Sequence, residues 1–211
     1  TSLKSLTMNK VTFPTNMQNG LQGLSSLETI SLNNANTSNV TNMNSMFDDC
    51  GNLEELDLSS FDTSNVTDMS SMFAWSDIEA VDLSSFDTSN VTTLNSMFAN
   101  THEINKIDLS NFDTNKVTNF TNMFNGSHVV EVDMSNFDYT KNATAGSLDT
   151  VLGLAGTNYL KKLKLDNVKF PADMSYGLKN LYNVEEISLN NVDTSIVTNM
   201  NYMFDQCNKL K

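Results

Sequence analysis

The same short pattern of apolar residues returns along the whole chain at intervals of about 25 residues. It reads L-x-x-L-x-L, and its units begin near residues 3, 27, 53, 78, 104, 129, 160, 184 and 210. Successive starts are 24 to 26 residues apart, except for one interval of 31 between Val129 and Leu160. A fixed period of this length is typical of solenoids, in which each unit buries its apolar face only against its neighbours. We therefore expect residues 1–211 to form a single repeat solenoid.

Each unit carries the signals of a short strand, a polar turn and a short helix. In the unit that starts at Leu53, Leu56 and Leu58 alternate with polar residues, which is the period of a strand with one buried face. The string D-T-S-N from Asp62 is turn chemistry. Four apolar residues then recur at i, i+3, i+6 and i+7, the spacing of a short helix: Val66, Met69, Met72 and Phe73. These signals predict an α/β solenoid of about eight units, each with a short parallel strand, a polar turn and a short helix.

A longer repeat of 157 residues indicates that the chain is an excerpt. Residues 3–24 match residues 160–181, and the unit at Leu27 has the same offset from the unit at Val184. A block of six units therefore starts again before the sequence stops at Lys211. Because terminal repeats need a cap or a further repeat to cover their core, we expect a longer repeat protein.

The charge balance argues against one large class of partners. The chain has 12 basic and 25 acidic residues, for a net charge of −13, and every basic residue is lysine. Nucleic-acid recognition depends on a cationic field and often on the bidentate arginine side chain. We therefore expect no nucleic-acid partner. No stretch approaches the roughly 18 apolar residues of a membrane span, so we also expect no direct membrane insertion of this segment.

The turn strings carry a family resemblance. F-D-T-S-N-V-T recurs almost intact at Phe61, Phe86 and Phe112, and in looser form at Val192. With L-D-L-S-S before it and M-F after it, this string resembles the BspA-type leucine-rich repeats of surface proteins from lactobacilli, related low-GC Gram-positive bacteria and mycoplasmas. The resemblance implies a leucine-rich-repeat-like solenoid that is extracellular, at the cell surface or in the cell wall. It also implies a non-enzymatic adhesin that binds a host mucosal or matrix glycan or glycoprotein.

Two alternatives to an adhesin stay open. A repetitive chain also suits a structural stalk that projects another domain. A polysaccharide-active β-solenoid is the other alternative, since such lyases generally hold calcium with acidic residues and use a lysine or arginine as base. Here Lys106 is the lysine beside the interior aspartates, and no Ser-His-Asp, Cys-His, HExxH or glycine-rich phosphate motif is present. We expect no enzymatic activity and no cofactor.

The unit that breaks the repeat is the candidate ligand site. The unit from Val129 is the longest, and aligning it with the others predicts extra loop residues before and after its helix. Loops on a rigid scaffold carry binding disproportionately. The candidate ligand-binding residues are Tyr139, Lys141, Asn142 and Tyr159 in these loops, with Lys106, Asp108 and Asp133 on the neighbouring strand face. The alternative is that the long unit only introduces a bend.

Two sets of aspartates recur at fixed repeat positions. Asp57, Asp82, Asp108 and Asp133 should form an outward row about 5 Å apart, either solvated or bridged by calcium. Mutual repulsion predicts raised pKa values along this row and a higher melting temperature near pH 5 than near pH 7.5. The second set opens the polar turns and is expected to accept backbone N–H bonds: Asp62, Asp87, Asp113, Asp138 and Asp193.

The histidines and cysteines also fall at matching positions. His102 and His128 are adjacent in the stack and could form a weak transition-metal site or a pH-sensitive pair, or be ordinary exposed loop residues. Cys50 and Cys207 are six repeats apart and cannot pair within one chain. We expect both to be small, semi-buried side chains.

Overall fold

The structure, a computed structural model, describes residues 3–142 and 148–211, which coil into a parallel β-solenoid. Each coil contributes one strand of two or three residues to a side that we call the strand face. The strands are β1 Ser5–Thr7, β2 Thr29–Ser31, β3 Glu55–Leu56, β4 Ala80–Val81, β5 Lys106–Asp108, β6 Glu131–Asp133, β7 Lys162–Lys164 and β8 Glu186–Ser188. They are short because the apolar alternation ends where the polar turn residues begin.

Neighbouring strands pair in parallel and in chain order, in two four-stranded sheets, β1–β4 and β5–β8. Equivalent repeat positions lie opposite one another, as Leu6 with Ile30 and Leu163 with Ile187. One repeat position therefore forms one column of side chains along the stack. The predicted solenoid with parallel strands is confirmed.

The prediction of a short helix in each unit, and with it the α/β class, is wrong. Among the described residues, helical structure consists of α1, Leu148–Leu152, and one 3-10 turn, Leu154–Gly156, both in the longest unit. Elsewhere the backbone bonds to the next coil. The N–H groups of Met43, Ser45 and Phe47 donate at 2.9 Å to carbonyl oxygens one coil further along: those of Asp68, Ser70 and Met72.

Left-handed backbone positions explain why no helix forms there. Ser45 and Asp49 have φ values of 54° and 58°, and such residues interrupt a right-handed helix. The chain turns at each of them, so apolar residues three apart still reach the same side. A series of tight turns therefore produces the same sequence spacing as a helix.

Stacked identical residues fill the core. The rings of Phe47, Phe73, Phe98 and Phe124 form a column with centroids 5.9, 5.5 and 5.7 Å apart. All four rings are at most 1% exposed. The column rises by one ring per coil, so each phenylalanine is held by the coils on both sides of it.

Buried threonines replace part of the backbone ladder at the polar turns. The hydroxyl of Thr63 donates to the Asp87 carbonyl and accepts the Asp87 N–H, each at 2.9 Å. Thr37 makes the same two bonds with Asp62, at 2.9 and 2.7 Å. The hydroxyl thus satisfies two part-buried backbone groups of the next coil.

Candidate binding face

A shallow groove of about 310 Å³ lies on the strand face of β5–β8. Its charged side chains alternate in sign from coil to coil, because Lys106, Glu131, Lys162 and Glu186 are successive register partners. Lys162 Nζ lies 3.3 Å from Glu131 Oε1. The groove therefore offers hydrogen-bond donors and acceptors side by side.

The structure brings part of the predicted site together here. Lys106 and Asp133 line the groove, and Asp108 is the register partner of Asp133. Whether they bind a ligand stays a prediction. The sequence interpretation missed most of the lining, namely Glu131, Lys162, Lys164 and Glu186. The signal that could have found these residues is the alternating charge at one repeat position.

The aspartate row is not strained in the way that the sequence predicted. Ser59 N–H donates to Asp57 Oδ1 at 2.9 Å, and bonds from Ser59 lower the pKa of Asp57. The equivalent bonds from Ser84 lower the pKa of Asp82. The prediction of raised pKa values is therefore wrong for Asp57 and Asp82, because each carboxylate accepts an N–H bond from its own coil.

A lysine follows the last aspartate of the row that runs from Asp57 to Asp133. Burial raises the pKa of Asp133, but bonds from Ser135 and Lys164 outweigh it and the pKa is lowered. Lys164 is the register partner of Asp133, so a cation follows the acidic column within the same sheet. In the part of the chain that the structure describes, no group of three or more His, Cys, Asp or Glu side chains is placed to hold a metal ion. These contacts do not test calcium bridging, which is one of the two alternatives that the sequence leaves open for the row.

The turn aspartates accept backbone N–H bonds as predicted. Each Oδ1 atom accepts from the residue two positions on, as Asp87 from Ser89 at 2.9 Å and Asp193 from Ser195 at 2.9 Å. A lysine interrupts the column between Asp138 and Asp193, and Lys169 Nζ lies 3.0 Å from Asp138 Oδ2.

A third polar column was missed by the sequence interpretation. Asn42, Asp68, Thr93 and Asn119 pair across the coils, and the side chain of each accepts the N–H two residues further on. Each follows a V-T pair, which is the signal that could have identified it.

Tyr139 is not a surface residue, and its predicted role in a binding loop is wrong. Its side chain is 0% exposed and packs against Phe120 and Phe137, with ring centroids 5.1 and 5.7 Å away. Its hydroxyl lies 3.5 Å from Met134 Sδ, and burial raises its pKa. Tyr139 therefore belongs to the core.

Lys141 and Asn142 lie beyond the turn that Asp138 opens. Lys141 is exposed, and its Nζ donates to the Asn115 carbonyl oxygen at 2.5 Å. Asn142 is half-buried, and its N–H donates to the Tyr139 carbonyl oxygen at 3.1 Å. Ala145, which the alignment places at the start of the long unit's helix, lies outside the described residues.

Tyr159 is the last member of a row of rings, each of which lies a few residues before the strand of the following coil. Its ring is 48% exposed and lies 4.0 Å from the His128 ring, centroid to centroid. His128 in turn lies 4.6 Å from His102, and His102 Nδ1 lies 3.4 Å from Asp77 Oδ1. The four side chains come from four successive coils and form one continuous column.

A second aromatic feature lies on the last coils. Tyr176 and Tyr202 stack with centroids 5.2 Å apart, and Lys179 Nζ lies 4.7 Å from the Tyr176 centroid. Both tyrosines have left-handed φ values, 56° and 57°, at a repeat position that Ser71 and Ser96 occupy elsewhere. A bulky residue is uncommon in this conformation.

The cysteines are both packing residues. Cys50 is buried, its Sγ lies 3.3 Å from the Leu21 carbonyl oxygen, and burial raises its pKa to about 11. Cys207 is half-buried, with Sγ 3.0 Å from the Leu178 carbonyl oxygen. Cys207 therefore matches the predicted semi-buried position, whereas Cys50 is fully buried.

Comparison with protein families gives one match that covers nearly the whole chain. Residues 2–80, 56–150 and 154–211 match a family described as Mycoplasma protein of unknown function, DUF285. The chain belongs to this family. Comparisons with curated proteins and with solved structures returned no match.

Membership of DUF285 is compatible with the resemblance to mycoplasma surface repeats, but it does not establish the BspA type. The family description names no activity or ligand, so none is transferred to this chain. Among the described residues, no helix has the length and apolar character needed to cross a membrane.

Proposed function

We propose that this DUF285 chain is a non-enzymatic binding module that acts outside the cell, at the surface or in the wall of a bacterium. Its ligand is a host mucosal or matrix glycan or glycoprotein. The observation that supports this proposal is the mixed-charge groove on β5–β8, where the repeat departs from its otherwise acidic or neutral strand face.

The chemistry of the groove suits a polar ligand. Lys106, Lys162 and Lys164 supply ammonium donors, while Glu131 and Asp133 supply carboxylate acceptors within the same groove. Sugars and glycoproteins present hydroxyl, amide and carboxylate groups that pair with both kinds. The groove is held by strands rather than by loops, which keeps its side chains at fixed spacings.

Binding to a glycan array, to mucin and to matrix proteins tests the proposal. The double variant K106Q/K162Q should lose binding, because it removes two donors from the groove. K4Q/K10Q is the matched control, since it removes the same charge far from β5–β8 and Lys4 also forms an exposed ion pair, with Glu28 at 2.6 Å. Equal binding by both variants would contradict the groove as the site.

A structural stalk is the second candidate function. It is favoured by the column of four stacked phenylalanines and by the threonine hydroxyls that bond to the next coil, since both hold neighbouring coils together along the stacking direction. A stalk should bind none of the ligands above. Chromatography of the incubated glycans separates both candidates from a polysaccharide-active enzyme, which would release shorter products.

A further inference from the structure

We propose that His102 and His128 form a surface site for one divalent first-row transition-metal ion, such as Cu²⁺, Ni²⁺ or Zn²⁺, with Asp77 positioning His102. The proposal does not rest on the function proposed above. It rests on the spacing of the two rings, on the contact with Asp77 and on the acidic surroundings.

The two imidazoles have the spacing that a shared ion requires. An ion about 2.0–2.1 Å from an imidazole nitrogen lies about 3.2 Å from the ring centre, so two rings bound at cis angles have centres about 4.5–5.2 Å apart. The centroids of His102 and His128 are 4.6 Å apart, and their planes are inclined by 53°. A separation at the lower end of this range suits the near-right angles of square-planar or octahedral ions.

Asp77 gives His102 the outer partner that metal-bound histidines usually have. Its Oδ1 lies 3.4 Å from His102 Nδ1. This contact is longer than a hydrogen bond, but the carboxylate favours a proton on Nδ1, which leaves Nε2 as the nitrogen that binds the ion. Asp77 is therefore a positioning residue, one coil away from the first ligand and two coils away from the second.

The backbone beneath the two histidines is fixed. Thr101 and Ser127, which precede them, are both buried, and their hydroxyl oxygens lie 2.8 Å apart. His128 N–H also donates to the Thr101 carbonyl oxygen at 2.8 Å. Tyr159 packs on the other side of His128. Binding thus needs little reordering of the protein.

The site is open to solvent and lies in a negative field. The His102 side chain is 41% exposed, so an ion can reach it and keep water in its remaining positions. Asp77 also lines an acidic surface groove of about 290 Å³, together with Glu54, Glu79 and Glu103. Carboxylates in such a groove raise the local concentration of cations.

Calorimetric titration of the full chain with copper chloride tests the site, with excess magnesium present to occupy simple carboxylate sites. The chain contains only two histidines. We expect one Cu²⁺ per chain, bound more tightly than Ni²⁺ or Zn²⁺ in keeping with the general affinity order.

Histidine variants decide whether the two rings act together. H102Q and H128Q should each weaken binding by at least about tenfold, the lower end of what even an outer-shell partner contributes. C207S is the control and should bind like the parent chain. Unchanged binding by H102Q/H128Q would overturn the proposal. So would two weak, independent ions, one of which is lost with each histidine.

Variants of Asp77 and Tyr159 test the supporting contacts. D77N should weaken Cu²⁺ binding by about tenfold and shift the nitrogen resonances of His102, which report its tautomer, while D77E should restore part of both. Y159F keeps the ring against His128 and should bind normally. If D77N has the affinity of the parent chain and unshifted His102 resonances, Asp77 does not position His102.

Discussion

Lys164 lies one coil beyond Asp133 in the same column, and its Nζ atom is 2.9 Å from Asp133 Oδ2. Asp133 also accepts two bonds from Ser135, from the N–H at 2.9 Å and from the hydroxyl at 2.6 Å. The carboxylate therefore joins the turn of its own coil to the strand of the next one.

The two partners of this pair should contribute unequally to stability. K164Q should lower the free energy of unfolding by at most about 1 kcal/mol, because half-exposed ion pairs are weak. D133A should cost about 1–3 kcal/mol, because the buried Ser135 loses its acceptor. Urea unfolding measures both, with K162Q as the control for loss of an exposed pair. Equal costs for K164Q and D133A would contradict this assignment.

Acid should destabilise the protein. Hydrogen bonds lower the pKa values of Asp57, Asp82 and Asp87 below the ordinary value of 3.8. A lowered pKa in the folded state means that the stabilisation is complete above the ordinary value and is lost as the pH falls through the lowered one. The melting temperature should therefore decrease when the pH is lowered below about 4. A melting temperature higher at pH 5 than at pH 7.5, as the aspartate row alone predicted, would show that repulsion dominates.

Calcium should leave the melting temperature unchanged. Oδ1 of Asp57, Asp82 and Asp108 each accepts an N–H bond from its own coil, so these oxygens already have partners. Thermal unfolding with added calcium and with a chelator is the measurement, and magnesium is the control. A rise with calcium alone would show that the ion bridges the row.

The sequence predicts the repeat and the strands well but not the path between them. Leu56 and Leu58 alternate as only a strand does, whereas the spacing of Val66, Met69 and Met72 fits both a helix and a series of tight turns. What separates the two is a left-handed φ at positions such as Ser71, and serine only weakly signals that conformation.

The candidate site, like the fold, could be predicted from the sequence only in part. Tyr139 follows the turn-opening Asp138 just as Thr63 follows Asp62, and this position is buried in both coils. The alignment could therefore have placed Tyr139 in the core. The alternation of Lys106, Glu131 and Lys162 becomes visible only when strand register is known, because these residues are far apart in sequence.

Thr63 should be needed for its hydroxyl rather than for its shape. Thr63→Val keeps the branched side chain but leaves the Asp87 N–H and carbonyl groups without the partner that now lies 2.9 Å from each. Both bonds are part-buried, so the expected cost is about 1–3 kcal/mol for the two groups together. Thr63→Ser keeps the hydroxyl and is the control. A valine variant as stable as the serine variant in urea unfolding would show that water or a backbone shift replaces the bond.

Tyr139 and Tyr159 should separate stability from binding. Tyr139→Ala removes a ring with no exposed surface and should cost about 3–5 kcal/mol, whereas Tyr139→Phe keeps the ring and should cost far less. Tyr159→Ala removes a ring that is 48% exposed, so its cost in urea unfolding should be much smaller. If Tyr159 contacts the ligand of the neighbouring strand face, Tyr159→Ala should weaken binding to the glycan or glycoprotein at nearly parental stability. Binding that is lost in Tyr139→Phe but retained in Tyr159→Ala would contradict both placements, because it would require a buried hydroxyl to contact the ligand.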